Sequence, residues 1–366
     1  MPRIVYLCEY GTIYGGENSM LSGLCAIQSR GFDVAVVCPP HTALSAQLSQ
    51  LGIKQIPFTW VDSTGKRKPL ELLRNELAKT IPAWQADIVH ANSLSVSRIL
   101  GPVQRAVDVK FVGHLRDIIK LNKRVIADIS MLDEIYCVST ATRDFHVAQG
   151  MAIGKSCVLH NGVDLKEFAP SKERGESDVL RLVYIGQLVM RKGIDVLLDG
   201  VRLAIEHGAN VSLDLYGERH STKEEAHEYE ADLYRFVEAN RLEPHIHFRG
   251  RTNNTPEILR QSDVLVHAAR QEPWGRVLLE AAATGLPIIA TQVGGTNEMF
   301  PRDEAILVPV DNPFAIAKSI GELYRSPELR QLLGRNARQR IERFGIDDYA
   351  DKLTDRYRKV LGRTPK

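Results

Sequence analysis

Short apolar runs rich in β-branched residues recur along the chain and alternate with longer stretches of helical periodicity. In the first half these runs are RIVYLC (3–8), DVAVVC (33–38), DIVHAN (87–92), KFVGHL (110–115), EIYCVS (134–139) and SCVLHN (156–161). Helical patterns such as ENSMLSGLCAIQSRG and SLSVSRILGPVQRA lie between them. Strand–helix alternation of this kind predicts a parallel sheet with helices on both faces. The polar stretch APSKERGESDV (169–179) then interrupts the pattern and reads as a linker or surface loop. The alternation restarts with LRLVYIGQL (180–188), VSLDLYG (211–217), HIHFRG (245–250), DVLVHAA (263–269), LPIIAT (286–291) and AILVPV (305–310). Two helical segments close the chain, the last being DDYADKLTDRYRKVL. The pattern therefore predicts an α/β protein with two doubly wound domains, residues 1–170 and 171–348, followed by a terminal helix in 349–366. Ligands of such sheets bind at the carboxyl ends of strands, where helices begin. With two such domains in tandem, the expected site is the cleft between them.

Composition narrows the function classes. A chain of 366 residues suits two cores rather than one. Charged residues make up 25% and the net charge is +2, so no strong field argues for nucleic acid. Cys8, Cys25, Cys38, Cys137 and Cys157 are scattered, with no C-x-x-C pair. That usage predicts a reducing compartment and no zinc site. The run IVYLC is too short for a signal peptide, and no apolar stretch approaches the ~18–20 residues of a membrane span. The expected location is cytoplasmic. The basic clusters GKRK (65–68) and KLNKR (120–124) read either as solvated faces or as a peripheral contact with anionic lipid on the inner membrane face.

Candidate chemistry sits in the loops that follow strands. In YGTIYGGENSM, Gly15 and Gly16 precede a helical pattern, where backbone N–H groups can approach an anion. The spacing is not G-x-G-x-x-G, which removes the main support for a dinucleotide site. YIGQLVMRKGIDVLLDGV repeats the layout in the second half, with Arg191 and Lys192 at the mouth of a loop before Gly193, a placement that suits a phosphate. EPWGRVLLE holds two acids, Glu272 in a loop after a strand and Glu280 inside the apolar helix RVLLEAAATG. A buried carboxylate needs a partner. One ligand can serve this whole stretch: a diphosphate on the N–H groups of residues 275–278, ribose hydroxyls on Glu280, and a sugar on Glu272. The competing readings are an Arg276–Glu280 i, i+4 ion pair on a helix surface and a glycosidase-type carboxylate pair. TQVGGTNEMF adds Gly294, Gly295 and Glu298 after the next strand, and His114 ends a strand in FVGHLRD.

Taken together these residues resemble the retaining GT-B glycosyltransferases of family 4, over nearly the whole chain. The family's E-x7-E element matches Glu272 and Glu280, continued as EAAATGLP. GGTNE, GQLVMRKG, NGVD (161–164), YGG and DIVH match its other elements in order. The resemblance implies two Rossmann-like domains facing across a cleft, with a nucleotide-diphosphate sugar in the second and the acceptor in the first. It implies that Glu280 binds the ribose and that Lys192 neutralises the departing diphosphate. Glu272, with the backbone of Gly275 and Arg276, would hold the donor sugar, and the amides of Val277 and Leu278 would face the diphosphate. Gly15, Gly16, Arg191, Arg251 and Trp274 fall on the donor side, and His114 near the donor sugar and acceptor. Lys192, Glu272 and His114 are then the catalytic set. The implied reaction retains anomeric configuration by same-face attack and uses no metal and no cofactor beyond the nucleotide sugar. The acceptor would be a glycan or lipid-linked molecule of cell-envelope or exopolysaccharide synthesis. Gln187 departs from the pattern, standing where the family usually has Arg, so Arg191 becomes the alternative second cation. A GT-B-like epimerase or phosphorylase, and a catalytically silent nucleotide-sugar binding protein, are the competing function classes.

Overall fold

The computed structural model describes residues 1–170 and 177–363; most of the polar linker stretch (171–176) lies outside the described residues. The chain divides into two compact units. The first comprises Met1–Gly162 together with the chain from Phe344 onward, and the second is Val163–Arg343. The passage between units thus falls at Gly162/Val163, before the polar run that marked it in the sequence. The return falls at Arg343/Phe344, ahead of the expected 348/349.

The first unit holds a seven-stranded parallel sheet. Its strands are β1 (Arg3–Leu7), β2 (Asp33–Cys38), β3 (Lys54–Pro57), β4 (Ile88–Ala91), β5 (Lys110–Leu115), β6 (Glu134–Cys137) and β7 (Ser156–Val158), in the spatial order 3-2-1-4-5-6-7. All register pairs are parallel, for example Tyr6 with Val36 on one side and His90 on the other. Alternate residues feed two cores. Val5, Leu7, Val37 and Val89 face one, and Ile4, Tyr6, Val36 and Ile88 face the other. Burial on both faces is why these strands read as near-continuous apolar runs. β3 did not stand out in the sequence because KQIP is half polar. It is an edge strand, joined only to β2, and needs little apolar surface.

The terminal helix Ile346–Val360 belongs to this unit. Tyr349, Ala350, Leu353 and Tyr357 enter its second core at helical spacing. The Tyr357 hydroxyl lies 2.5 Å from His90 Nδ1 and 2.7 Å from the Tyr6 hydroxyl, so a polar link is buried under the helix. Tyr357→Phe keeps the ring but strips both groups of a buried partner. We expect a loss of about 1–3 kcal/mol of stability, read from the denaturant midpoint at unchanged slope.

The second unit holds a six-stranded parallel sheet. Its strands are β8 (Leu180–Ile185), β9 (Val211–Tyr216), β10 (Ile246–Gly250), β11 (Val264–His267), β12 (Ile288–Thr291) and β13 (Ile306–Val308), in the order 10-9-8-11-12-13. Counted from its own first strand, this is the 3-2-1-4-5-6 order of a Rossmann sheet, and the first unit has the same order with one more strand. The order reverses between β8 and β11. The loops leaving those two strands therefore diverge and open a crevice at their carboxyl ends.

Candidate active site

The reversal point of the second sheet is built by the segments 186–193 and 268–275. The first passes through a short turn at Met190–Lys192 and enters the helix Ile194–Glu206 at Gly193. Gly193 has φ +61°, and a Cβ there would lie 2.0 Å from the Ala268 carbonyl oxygen, so only glycine lets the loops approach. The backbone N–H of Arg270 donates to the Arg191 carbonyl at 2.8 Å. The Arg270 guanidinium bonds to the Met190 carbonyl at 2.7 Å, to Asp195 at 2.6 and 2.9 Å, and to Asp311 at 2.7 Å. Arg270 thus rivets the cationic loop to the loop that carries Glu272.

Across this junction Lys192 Nζ forms an ion pair with Glu272 Oε2, and His267 Nε2 lies 2.7 Å from the same oxygen. Glu272 is only 5% exposed. Burial by itself raises its pKa, but the Lys192 charge and the His267 hydrogen bond outweigh that and hold the carboxyl well below the usual range. His267, at the end of β11, is buried, and burial together with the Lys192 charge keeps its ring neutral. Glu272 is therefore a fixed anion. Its Oε2 is taken by two donors, and its Oε1 makes no hydrogen bond among the described residues.

The helix Arg276–Ala283 starts at Gly275, whose φ is +81° and where a Cβ would lie 2.6 Å from Leu278 Cδ1. Arg276 Nε lies 2.5 Å from Glu280 Oε1, so the i, i+4 pair does form. It is not a surface pair, because Glu280 is buried. Burial raises the Glu280 pKa against the opposing Arg276 charge. Glu280 Oε2 makes no hydrogen bond among the described residues. The N–H of Leu278 donates to the Gly275 carbonyl at 3.0 Å. The N–H of Val277 donates to no described residue. The side chain of Trp274 is buried. A Cβ at Gly295 would meet the Pro273 carbonyl at 2.4 Å and the Trp274 ring at 2.9 Å, and the Gly295 N–H donates to the Glu272 carbonyl at 3.0 Å. The GGTNE segment thus supports the Glu272 loop from behind.

Arg191 is exposed and forms no ion pair among the described residues, whereas Gln187 is half-buried and its carbonyl accepts the Tyr184 hydroxyl at 2.8 Å. Arg251 follows β10, two strands away from β8, and its charge acts on His220. No contact brings it to Lys192 or Glu272.

The first unit also gathers polar groups at the carboxyl ends of its strands. Gly15 and Gly16 open the helix Gly15–Ser29, and a Cβ on Gly16 would sit 3.4 Å from Arg116 Cδ. Arg116 follows β5 and donates to Asn161 Oδ1 at 2.5 Å and to Asn92 Oδ1 at 3.2 Å. Its Nη2 also lies 3.1 Å from His114 Nδ1. His114, which the resemblance put in the catalytic set, lies one residue before the end of β5. Its ring is fully buried in the sheet and stacks on His90 at 5.7 Å, and burial with the Arg116 charge keeps it neutral. The group standing at that strand end is Arg116. Sequence reasoning missed Arg116, Asn92 and His267, although each is a polar residue at or just past a strand's carboxyl end; Asn161 entered it only as the first residue of NGVD.

Two doubly wound, Rossmann-like units are the architecture of the GT-B glycosyltransferases. Residues 166–340 match the family of group 1 glycosyl transferases, and residues 13–167 match glycosyltransferase family 4. Together the two matches span most of the chain, which belongs to the group 1 glycosyltransferases. It is 25% identical over 355 residues to glycogen synthase of Mycobacterium tuberculosis, covering 86% of this chain and 84% of that protein. It is 26% identical over 229 residues to the GPI3 subunit of phosphatidylinositol N-acetylglucosaminyltransferase from Saccharomyces cerevisiae, covering 60% of this chain and 48% of that protein, so it spans just under half of that relative's length. Anabaena HepE, solved with UDP and glucose, shares the fold with a TM-score of 0.85 at 19% identity, over 98% of this chain and 99% of that one. Among the described residues no helix is long and apolar enough to cross a membrane.

Proposed function

We propose that the protein transfers a glycosyl group, with retention of anomeric configuration, from a nucleotide-diphosphate sugar to a glycan or lipid-linked acceptor. The observation that carries this reading is the Lys192–Glu272–His267 constellation at the reversal point of the second sheet, beside a helix start whose Val277 N–H is open. Glu280 Oε2 accepts ribose hydroxyls, and Glu272 Oε1 accepts a hydroxyl of the donor sugar. As the bond between the anomeric carbon and the diphosphate oxygen breaks, negative charge grows on the diphosphate. Lys192, Arg191 and the helix N-terminus meet that charge, which favours the transition state over the ground state. The acceptor hydroxyl attacks from the face the diphosphate leaves, and the departing phosphate oxygen takes its proton. HepE was solved with UDP, which supports a uridine nucleotide as the first donor to try.

The test is a thermal-shift and donor-hydrolysis panel of UDP-, GDP- and ADP-sugars, since a bound donor raises the unfolding midpoint by mass action. Stabilisation by none of them sinks the reading. The same cations make a bound metal unnecessary in this mechanism, so we expect a chelator to leave turnover intact. Loss of activity in chelator, restored by magnesium or manganese, overturns the metal-free clamp.

A further inference from the structure

Among the described residues of the second unit, His267 is a buried group that touches the candidate site and has no role in the mechanism above. It is 1% exposed, with its ring stacked on Tyr184 at a centroid distance of 6.2 Å and an interplanar angle of 11°. Its Nε2 lies 2.7 Å from Glu272 Oε2, and its Nδ1 has no hydrogen-bond partner among the described residues. The chemistry decides the tautomer. An ionised carboxylate can only accept, so the neutral ring donates through Nε2–H and Nδ1 keeps a bare lone pair. Lys192 reaches the same oxygen from the loop after β8, whereas His267 reaches it from the end of β11. Two donors from two separate strand ends pin Oε2 and fix the rotation of the carboxylate. Oε1 is the oxygen left over.

We propose that His267 is a positioning residue that locks Glu272 so that Oε1 is presented to a hydroxyl of the transferred sugar. The inference rests on the reading of Glu272 as the sugar-holding acid and adds the group that aims it. Lys192 alone cannot do this, because an ammonium on a flexible stem binds a carboxylate from many directions. The planar imidazole, wedged against Tyr184, donates from one. Loss of the donor therefore loosens the sugar and leaves the nucleotide subsite intact.

The test compares His267→Phe, which keeps a ring and loses the donor, with His267→Gln, which carries an N–H at similar reach. The substrate is whichever nucleotide sugar the donor panel identifies, and the matching nucleoside diphosphate is titrated alongside. His267→Phe is expected to lower kcat/KM for the nucleotide sugar by on the order of 10–10²-fold, the cost typical of a misplaced reacting geometry. Affinity for the nucleoside diphosphate is expected to stay at the wild-type value, and His267→Gln to recover most of the rate. Equal losses of diphosphate and nucleotide-sugar affinity, or wild-type turnover in His267→Phe, overturn the positioning role. Glu272→Gln separates the two readings. If it is inactive while His267→Phe is unimpaired, only the role of His267 fails; if it is fully active, the reading of Glu272 fails with it. A ligand-free measurement stands independently of the variants' folding. Nitrogen NMR of histidine-labelled protein is expected to show His267 as the neutral Nε2–H tautomer at pH 7. A Nδ1–H tautomer or a protonated ring overturns the proposal.

Discussion

Lys192→Ala is expected to slow single-turnover transfer by on the order of 10²–10³-fold, the cost of removing one preorganised charge partner of a developing anion. The structure adds a second reason for a large effect. Lys192 is also the main counter-charge of buried Glu272, so its removal leaves an anion held by His267 alone. The pH dependence follows with a definite sign. In the native protein the Glu272 pKa is depressed, so the pair's stabilisation is complete above the unfolded value of about 4.3 and is lost as pH falls through the folded value. Without Lys192, burial dominates and the Glu272 pKa moves up. Residual activity in Lys192→Ala therefore falls away at a higher pH than in the native enzyme. Arg191→Ala is expected to cost clearly less, since Arg191 is exposed and supports no buried acid. If Arg191→Ala is the more damaging of the two folded variants, Arg191 is the diphosphate ligand and Lys192 chiefly a partner of Glu272.

Glu280→Gln is expected to weaken donor binding by about 1.5–3 kcal/mol, roughly 10–10²-fold, with the nucleoside diphosphate losing as much as the nucleotide sugar. The carboxylate is buried and its Oε1 is held by Arg276, so the acceptor capacity that remains is Oε2. An amide at this position carries no charge and makes a weaker acceptor for two ribose hydroxyls. Because burial raises the Glu280 pKa, native donor affinity should also decline on the acid side sooner than an ordinary carboxylate would dictate. Calorimetric titration of the folded variant against the nucleoside diphosphate checks the first statement, and the same titration of the native protein at falling pH checks the second. Native-like affinity assigns Glu280 to Arg276 alone.

Much of this protein is legible in its sequence because two kinds of information are local. Apolar runs such as DVAVVC and LPIIAT announce buried parallel strands, since burial on both faces leaves no polar position. EPWGRVLLE announces a strand end, a turn and a helix carrying an acid where an apolar residue is expected. Those two signals set the two-unit architecture and place Glu272, Glu280 and Lys192 in strand-end loops and the helix that follows from the chain alone. Other features depend on which strands become neighbours. That β8 lies beside β11 brings Lys192 onto Glu272 across eighty residues, and no spacing in the chain encodes that pairing. The side of a strand is equally non-local. His114, one residue before the end of its strand, is buried against His90, while Arg116 two residues on lies past the strand and binds Asn92 and Asn161. His267 looked like one more residue of an apolar run until the fold set its Nε2 against Glu272. The local pattern determined which segments are strands and where polar groups leave them. The sheet order alone decided which of those groups meet, because side-chain partners across a parallel sheet are chosen by strand adjacency rather than by distance along the chain.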